Sequence, residues 1–310
     1  MRIGARGSPL SLAQTAQVAQ AIVSFFPDVE VRIVPIKTSG DDLKLKPRER
    51  FGLKGIFVKE IEMALLNHEV DLAVHSAKDL PGILPEGLTL GAVPRRELPF
   101  DCLITTDLAF DLHSLNPGSR VGTSSLRRRA QLMAFRKDLV VLEIRGNLDT
   151  RMKKILLGEC EGVILAASGL IRLKGQGYPL LTLSPEIILP APGQGILALE
   201  YREEDTHIPA YLAPLNHEPT ALALAAERSF LMSLGVGCFV PAAAWARVDE
   251  QNLTLTALVA ELDGSLVLKE KKRLESPTIQ SSQDLGKEMA EILLARGGEE
   301  ILKRVSQQTE

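Results

Sequence analysis

The chain has 310 residues, 45% of them hydrophobic, enough for two or three domains that each bury a core. Lys and Arg number 36 against 39 Asp and Glu, a net charge of −3, and aromatics make up only 4%. Nucleic-acid binders show a basic excess and aromatic platforms, so that class is disfavoured.

Residues 2–6 read as a short strand ending at Gly7. Ser8 follows as an N-cap with Pro9 at the first helical position, and LSLAQTAQVAQAIVSFF keeps helical spacing. The β-branched run 29–37 reads as a strand. Residues 39–56 have no sustained period, and a glycine- and charge-rich connector of that length reads as a lid or mobile loop. A helix over 57–67 and an apolar strand over 70–75 complete a β-α-β-α-β alternation, which implies parallel strands with helices on the faces.

A second unit begins after Val93. Strands are expected over 101–105 and 120–123, then an arginine-bearing helix to about Phe135 and a strand over 139–145. Asn147 caps a further helix that Gly158 closes, and 162–167 is an apolar strand. LPAPGQGILALE, residues 189–200, reads as a crossing that returns to the first unit. An alanine- and leucine-rich helix from Glu218 stops at Gly235. Strands over 242–248, 253–261 and 266–274, the last two joined at Asp263-Gly264, precede a helix over 282–294. The expected fold class is α/β. Two doubly wound lobes (1–95 with 196–214, and 96–195) precede a small α+β domain over 215–310.

Three widely spaced cysteines, Cys102, Cys160 and Cys238, form no Cys-X-X-Cys pair. Such sparse usage argues for a reducing compartment and against a disulfide framework or structural zinc. The opening MRIGARGSPL lacks the apolar core of a signal peptide, and no apolar run approaches a membrane span. A cytoplasmic monomer is expected, with no metal and no nucleic-acid or membrane partner.

The stretch VGTSSLRRRAQL, residues 121–132, breaks a local rule. Helix N-termini carry unpaired N–H groups and partial positive charge, so arginines in the first turn are misplaced unless an anion sits beside them. An arbitrary arginine run is more often solvated and paired with acids elsewhere. After Gly-Thr-Ser-Ser at a strand-to-helix junction, the anion reading is favoured. Ligands of open α/β sheets bind beyond the carboxyl ends of the strands. Arg6, Ser8, Lys78, Asp79, Thr123, Ser125, Arg127, Arg128, Arg145, Arg151 and Arg172 all fall at or shortly after such ends. Six arginines at equivalent positions describe a cleft for several carboxylates or phosphates.

Asp79 allows two readings: an ion pair with a neighbouring cation, or a carboxylate facing a cationic part of the ligand. At about 4 Å and an effective dielectric near 20, one carboxylate stabilises a unit positive charge by roughly 4 kcal/mol, enough to matter for a cationic intermediate. His75 reads as a satisfied core histidine. Cys102 and Cys160 read as inert buried thiols. Cys238, in GVGCFVP, is on local spacing favoured as a packed turn residue over an exposed nucleophile.

With these motifs in view, the chain resembles the porphobilinogen deaminase family nearly end to end. The resemblance is carried by RGSPLSLAQ, GLKGIFVKEIEMALL, DLAVHSAKDLP, VGTSSLRRRAQL, RGNLDTR, LAASGLIRL, PAPGQG and ERSFLMSLGVGCFVP, in that order. It implies two lobes resembling a two-lobed solute-binding protein, and a third domain with one dipyrromethane cofactor held to Cys238 by a thioether. It implies a transferase that adds four porphobilinogen units head to tail, releases ammonia and frees hydroxymethylbilane for heme and other tetrapyrrole biosynthesis.

By resemblance, Lys78, Asp79, Ser125, Arg127 and Arg128 hold the cofactor, while Arg6, Ser8, Thr123, Arg145, Arg151 and Arg172 hold the substrate. Asp79 assists loss of ammonia, stabilises the azafulvenium cation and helps deprotonate the new carbon–carbon junction. The carboxylates of the full polypyrrole outnumber the six arginines, which gives loop 39–56 and the APGQG crossing a mechanical role. Two departures concern the cysteine loop: Val236 stands where the family usually has a glycine, and Ala242 where it has a bulkier apolar residue. The alternative function is a non-catalytic two-lobed binding protein for an organic anion, which needs neither Cys238 nor the third domain.

Overall fold

A computed structural model of the chain describes residues 1–39, 58–105, 111–146, 148–173, 181–235 and 240–309. In chain order it opens with β1 (Arg2–Arg6), α1 (Pro9–Phe25), β2 (Arg32–Ile36), α2 (Lys59–Leu66), β3 (Leu72–Ser76) and β4 (Leu88–Ala92). Then come β5 (Asp101–Thr105), β6 (Arg120–Gly122), α3 (Leu126–Phe135), β7 (Val140–Leu142), α4 (Leu148–Leu156), β8 (Gly162–Ala166), α5 (Ala167–Arg172) and β9 (Leu181–Thr182). β10 (Leu197–Arg202), α6 (Ile208–Leu212) and α7 (Glu218–Ser233) follow. The chain closes with β11 (Ala242–Asp249), β12 (Asn252–Ala260), β13 (Val267–Glu275), α8 (Ile279–Leu293) and α9 (Glu299–Thr309). Apart from Ser39, the loop expected over 39–56 lies outside the described residues, as do Asn147 and Cys238. No helix among the described residues is long and apolar enough to cross a membrane.

The strands form sheets of order β2-β1-β3-β10-β4, β7-β6-β8-β5-β9 and β11-β12-β13. This is the expected α/β class: two sheet-centred lobes and a smaller C-terminal domain with a sheet of its own. The strands are not all parallel, however. β1 runs parallel to β2 and β3, and β6 to β7 and β8, but β10 is antiparallel to β3 and β4 and β5 is antiparallel to β8 and β9. A parallel neighbour requires a long crossover over one face. β5 and β10 are the strands by which the chain enters each sheet from the other, so no such crossover sets their direction. β4 escapes the sequence reading because the Pro- and Gly-bearing run 81–87 before it reads as loop.

Local chemistry explains the helices. Ser8 caps α1 by accepting from Ser11 N at 3.3 Å, with Pro9 in the first turn. Val18 and Ile22 of α1 pack on Ile3, Leu72 and Val74, while Ile61, Ala64 and Leu65 of α2 cover Val70 and Ala73 on the other face. In the third domain α7 and α8 approach so closely that a Cβ on Gly286 would stand 2.2 Å from Ala226 O. That domain touches both lobes: Leu224 packs with Ala77 and Leu80, and Ala243 and Leu258 with Ala130 and Leu189.

The chain passes between the two lobes twice, and the crossings lie side by side. Glu97 N donates to Gly195 O at 3.1 Å. Gly195 has φ +86, and a Cβ there would meet Glu97 O at 2.5 Å, so glycine is what lets the two segments touch.

His75 is indeed satisfied in the core: its Nε2 lies 2.9 Å from Glu200 Oε2, with both residues buried. Glu62 of α2 faces the same pair. Burial, reinforced by the Glu200 charge and only partly offset by His75, pushes its carboxyl up from 4.5 to about 7. Because the folded-state pKa is raised, the associated stability is fully present below the ordinary value and is lost as pH rises through about 7. The loss amounts to about 3 kcal/mol. Urea unfolding between pH 5 and 8 should therefore show stability declining with pH, and Glu62→Gln should flatten that slope. An unchanged slope in the variant would assign the pH dependence to another group.

Candidate functional site

The arginine helix α3 begins as its sequence suggests. Ser125 is the N-cap, its Oγ accepting from Arg128 N at 3.4 Å, and Thr123 Oγ1 accepts from Ser125 N at 3.2 Å. Arg127 and Arg128 are not free cations, however; both turn onto Asp101 at the start of β5. Arg127 Nη1 donates to Asp101 Oδ2 at 2.7 Å and to Leu189 O at 2.6 Å. Arg128 donates to Asp101 Oδ1 through Nε at 3.1 Å and Nη2 at 2.8 Å, and its Nη1 reaches Ile164 O at 3.0 Å. Gln194 Nε2 adds a bond to the same Oδ1 at 2.9 Å.

The expectation is amended accordingly: the first anion this pair meets is the protein's own carboxylate. Burial alone would raise the Asp101 pKa, but Arg127 and Arg128 outweigh it and hold the group well below the usual carboxylate range. One negative charge against two positive ones leaves the cluster cationic.

The second part of the site is a single 3-10 turn, Ala77–Asp79, directly after β3. β1 is parallel to β3, so Arg6 and the Ser8 cap lie at the same sheet edge. Gln14 of α1 ties that edge together by donating to Ser76 Oγ at 3.0 Å. Lys78 and Asp79 are half-buried. Burial lowers the Lys78 pKa, the Asp79 carboxylate opposes that, and Arg128 adds to it, which places this turn within electrostatic reach of the Asp101 cluster. Among the described residues Asp79 forms no ion pair. A cavity of about 190 Å³ runs from Lys78, Ser125 and Arg127 to Leu231, Val240 and Ala242 of the third domain.

Further cations gather nearby. Arg151 donates to Gly146 O at 2.9 Å, and burial together with Arg128 and Arg145 lowers it to about 10. Three guanidiniums thus disfavour one another, a strain that an anionic ligand would relieve. Arg145 pairs with Glu143, its Nε 2.6 Å from Oε1, but both are substantially exposed, so the pair is weak and exchangeable. Arg172 stands apart from this group. Its Nη2 donates to Gly195 O at 2.9 Å at the crossing, burial lowers its pKa, and its buried Nε has no partner among the described residues.

Asp101, Gln194 and Glu227 escaped the sequence reading. For Asp101 and Glu227 the available signal was a charged residue at a position where strand or helix periodicity demands burial, whereas Gln194 is an uncharged residue in a turn. Cys102 and Cys160 are free and buried, and burial with the Asp101 charge pushes the Cys102 thiol up to about 12, so it is inert as expected.

Comparison with known proteins bears on this geometry. Residues 1–210 match the family model "Porphobilinogen deaminase, dipyromethane cofactor binding domain", and residues 221–295 match "Porphobilinogen deaminase, C-terminal domain". The chain is 46% identical over 302 residues to the porphobilinogen deaminase of Syntrophotalea carbinolica, covering 97% of this chain and 95% of that one. It is 45% identical over 304 residues to that of Maridesulfovibrio salexigens, covering 98% and 97%. Among solved structures it resembles the probable amino-acid ABC transporter extracellular-binding protein ytmK of Bacillus subtilis, with TM-score 0.44 and 10% identity over 69% of this chain and 89% of that one. That likeness is too distant to bear on the reaction.

Proposed function

The chain belongs to the porphobilinogen deaminase family, and from that premise we propose how its own residues carry the reaction. The enzyme is a transferase that joins four porphobilinogen molecules head to tail into hydroxymethylbilane, releasing ammonia at each addition, primed on a covalent dipyrromethane. The alternative of a non-catalytic anion-binding protein falls away.

The donor set suits a polyacidic pyrrole cofactor. The cavity between Lys78, Ser125 and Arg127 and the third domain ends at Val240, two residues along the chain from Cys238, and the surrounding charge is predominantly positive. Cys238 would carry the dipyrromethane, and Lys78, Asp79, Ser125, Arg127 and Arg128 would hold it. When bound, that group supplies the nucleophilic pyrrole carbon. Arg6, Ser8, Thr123, Arg145, Arg151 and Arg172 would grip the acetate and propionate groups of incoming substrate, Arg145 by exchanging Glu143 for a ligand carboxylate.

The observation that carries this reading is the half-buried Lys78–Asp79 turn facing the Arg127–Arg128–Asp101 cluster. Asp101 is fully engaged there, so Asp79 is the carboxylate left to act. It shields the positive charge that appears on the substrate carbon when ammonia leaves, then takes the proton displaced at the new junction.

We assign the lobes to 1–95 with 196–214 and to 96–195, and the third domain to 215–310. Support comes from the pairing of β10 with β3 and β4. A cytoplasmic location is supported by the sparse cysteines, two of them free and buried, and we assign the protein as a monomer.

Intact-mass measurement tests the reading. Protein made in a host that synthesises porphobilinogen should carry an added mass equal to two linked pyrrole units, and Cys238→Ala should lose it. A bare chain mass in the unaltered protein would count against covalent priming.

A further inference from the structure

Glu227 lies on α7 and is fully buried, yet it belongs to neither the guanidinium cluster nor the Lys78–Asp79 turn. Its carboxylate gathers three chain segments. It accepts from Arg96 Nη1 at 2.6 Å and Nη2 at 3.3 Å, from Gly193 N in the crossing at 2.6 Å, and from Ala246 N of β11 at 2.7 Å. Arg96 closes the ring by donating through Nε to Gln194 O at 2.9 Å. Such a pair is a poor way to gain stability, since well-packed apolar residues often do as well, but it fixes geometry tightly.

The geometry it fixes is that of Gly193. This residue has φ +73, and a Cβ there would stand 2.9 Å from both Ala77 C and Lys78 N. The glycine therefore forms the floor on which the Ala77–Asp79 turn rests, and Ala77 N donates to Ile196 O at 2.9 Å from the same crossing. Helix α7 continues from Glu227 to Ser233, shortly before Cys238 in the chain.

We propose that Glu227 is a positioning residue for the acid–base turn: acting through Gly193, it sets from the third domain where Asp79 stands. The helix that leads to the cofactor cysteine and the carboxylate that serves the reaction are thereby held in one register. This rests on the reading of Asp79 as the acid–base group.

The test compares Glu227→Gln, Gly193→Ala and the double variant in protein whose cofactor loading is verified by intact mass and whose folding is verified by thermal melting. Glutamine keeps the volume but turns an amide NH2 toward donors. Alanine leaves the Arg96 pair intact and pushes a methyl group at the turn. Each single variant should lower kcat about tenfold or more with KM changed less than about threefold, because a displacement near 1 Å can cost up to about a hundredfold. The kcat–pH profile should shift in both, and the double variant should lose no more than the worse single one.

Unchanged kcat in either loaded, folded single variant, or losses that multiply in the double variant, would overturn the proposal. If Glu227→Gln does not fold, Gly193→Ala decides by the same criterion, and failure of both to fold would assign the hub a purely structural role. Asp79→Asn separates the two levels. Full activity there removes the acid–base reading itself, whereas an inactive Asp79→Asn beside unaffected Glu227 and Gly193 variants removes this inference alone.

Discussion

Asp79→Asn is expected to bind porphobilinogen much as the unaltered protein does and to turn it over about a thousandfold more slowly. The substitution keeps size and shape and deletes one negative charge. That charge is half-buried beside Lys78, in a cleft where Arg127, Arg128, Arg145 and Arg151 otherwise repel cations. Losing an attraction of about 4 kcal/mol to a cation formed a few ångströms away corresponds to roughly that factor in rate. Removing the proton acceptor contributes within the same range, about a hundredfold to ten-thousandfold. Single-turnover ammonia release on cofactor-loaded protein reads the effect directly. A variant that kept most of its turnover would show that the proton leaves by another route.

Asp101→Asn is expected to cost about 3–5 kcal/mol of stability, the largest effect of any single substitution considered, because it strands two buried guanidiniums that share one counter-ion. Arg127 and Arg128 have side chains only 4% and 9% exposed, so neither can turn to water without repacking. Gln194 keeps its other bond, from Nε2 to Pro99 O at 2.6 Å, so the loss falls on the guanidinium pair. Urea unfolding at pH 7 measures the loss. A cost below about 1 kcal/mol would mean that the carbonyls of Leu189 and Ile164 hold the pair without Asp101.

Much of this architecture was legible in the chain because its signals are local. Ser8 and Pro9 announced α1, Gly158 and Gly235 closed their helices at φ +70 and +69, and Gly264 turned the β12–β13 hairpin at φ +71. Strand direction was not legible at β5 and β10, since direction depends on where the chain comes from and not on side-chain pattern. At the site, the unusual placement of Arg127 and Arg128 was visible from their position in the first turn. The anion they answer was not, because Asp101 is remote in sequence and sits in a strand, DCLIT, that otherwise reads as core. Glu227 was hidden in the same way among the alanines and leucines of α7. Pattern reading finds a charge that breaks a rule, but the partner that satisfies it comes from tertiary structure.

The two connections between the lobes, touching at Glu97 and Gly195, have a mechanical consequence. Bodies joined by one thread can swing, twist and slide independently, whereas a pair of adjacent threads leaves bending about one shared axis as the easy motion. A lengthening product can then be accommodated by widening the gap while the two walls keep their alignment. Severing either thread with a protease would leave the halves tethered, but would release the twist that the intact pair forbids.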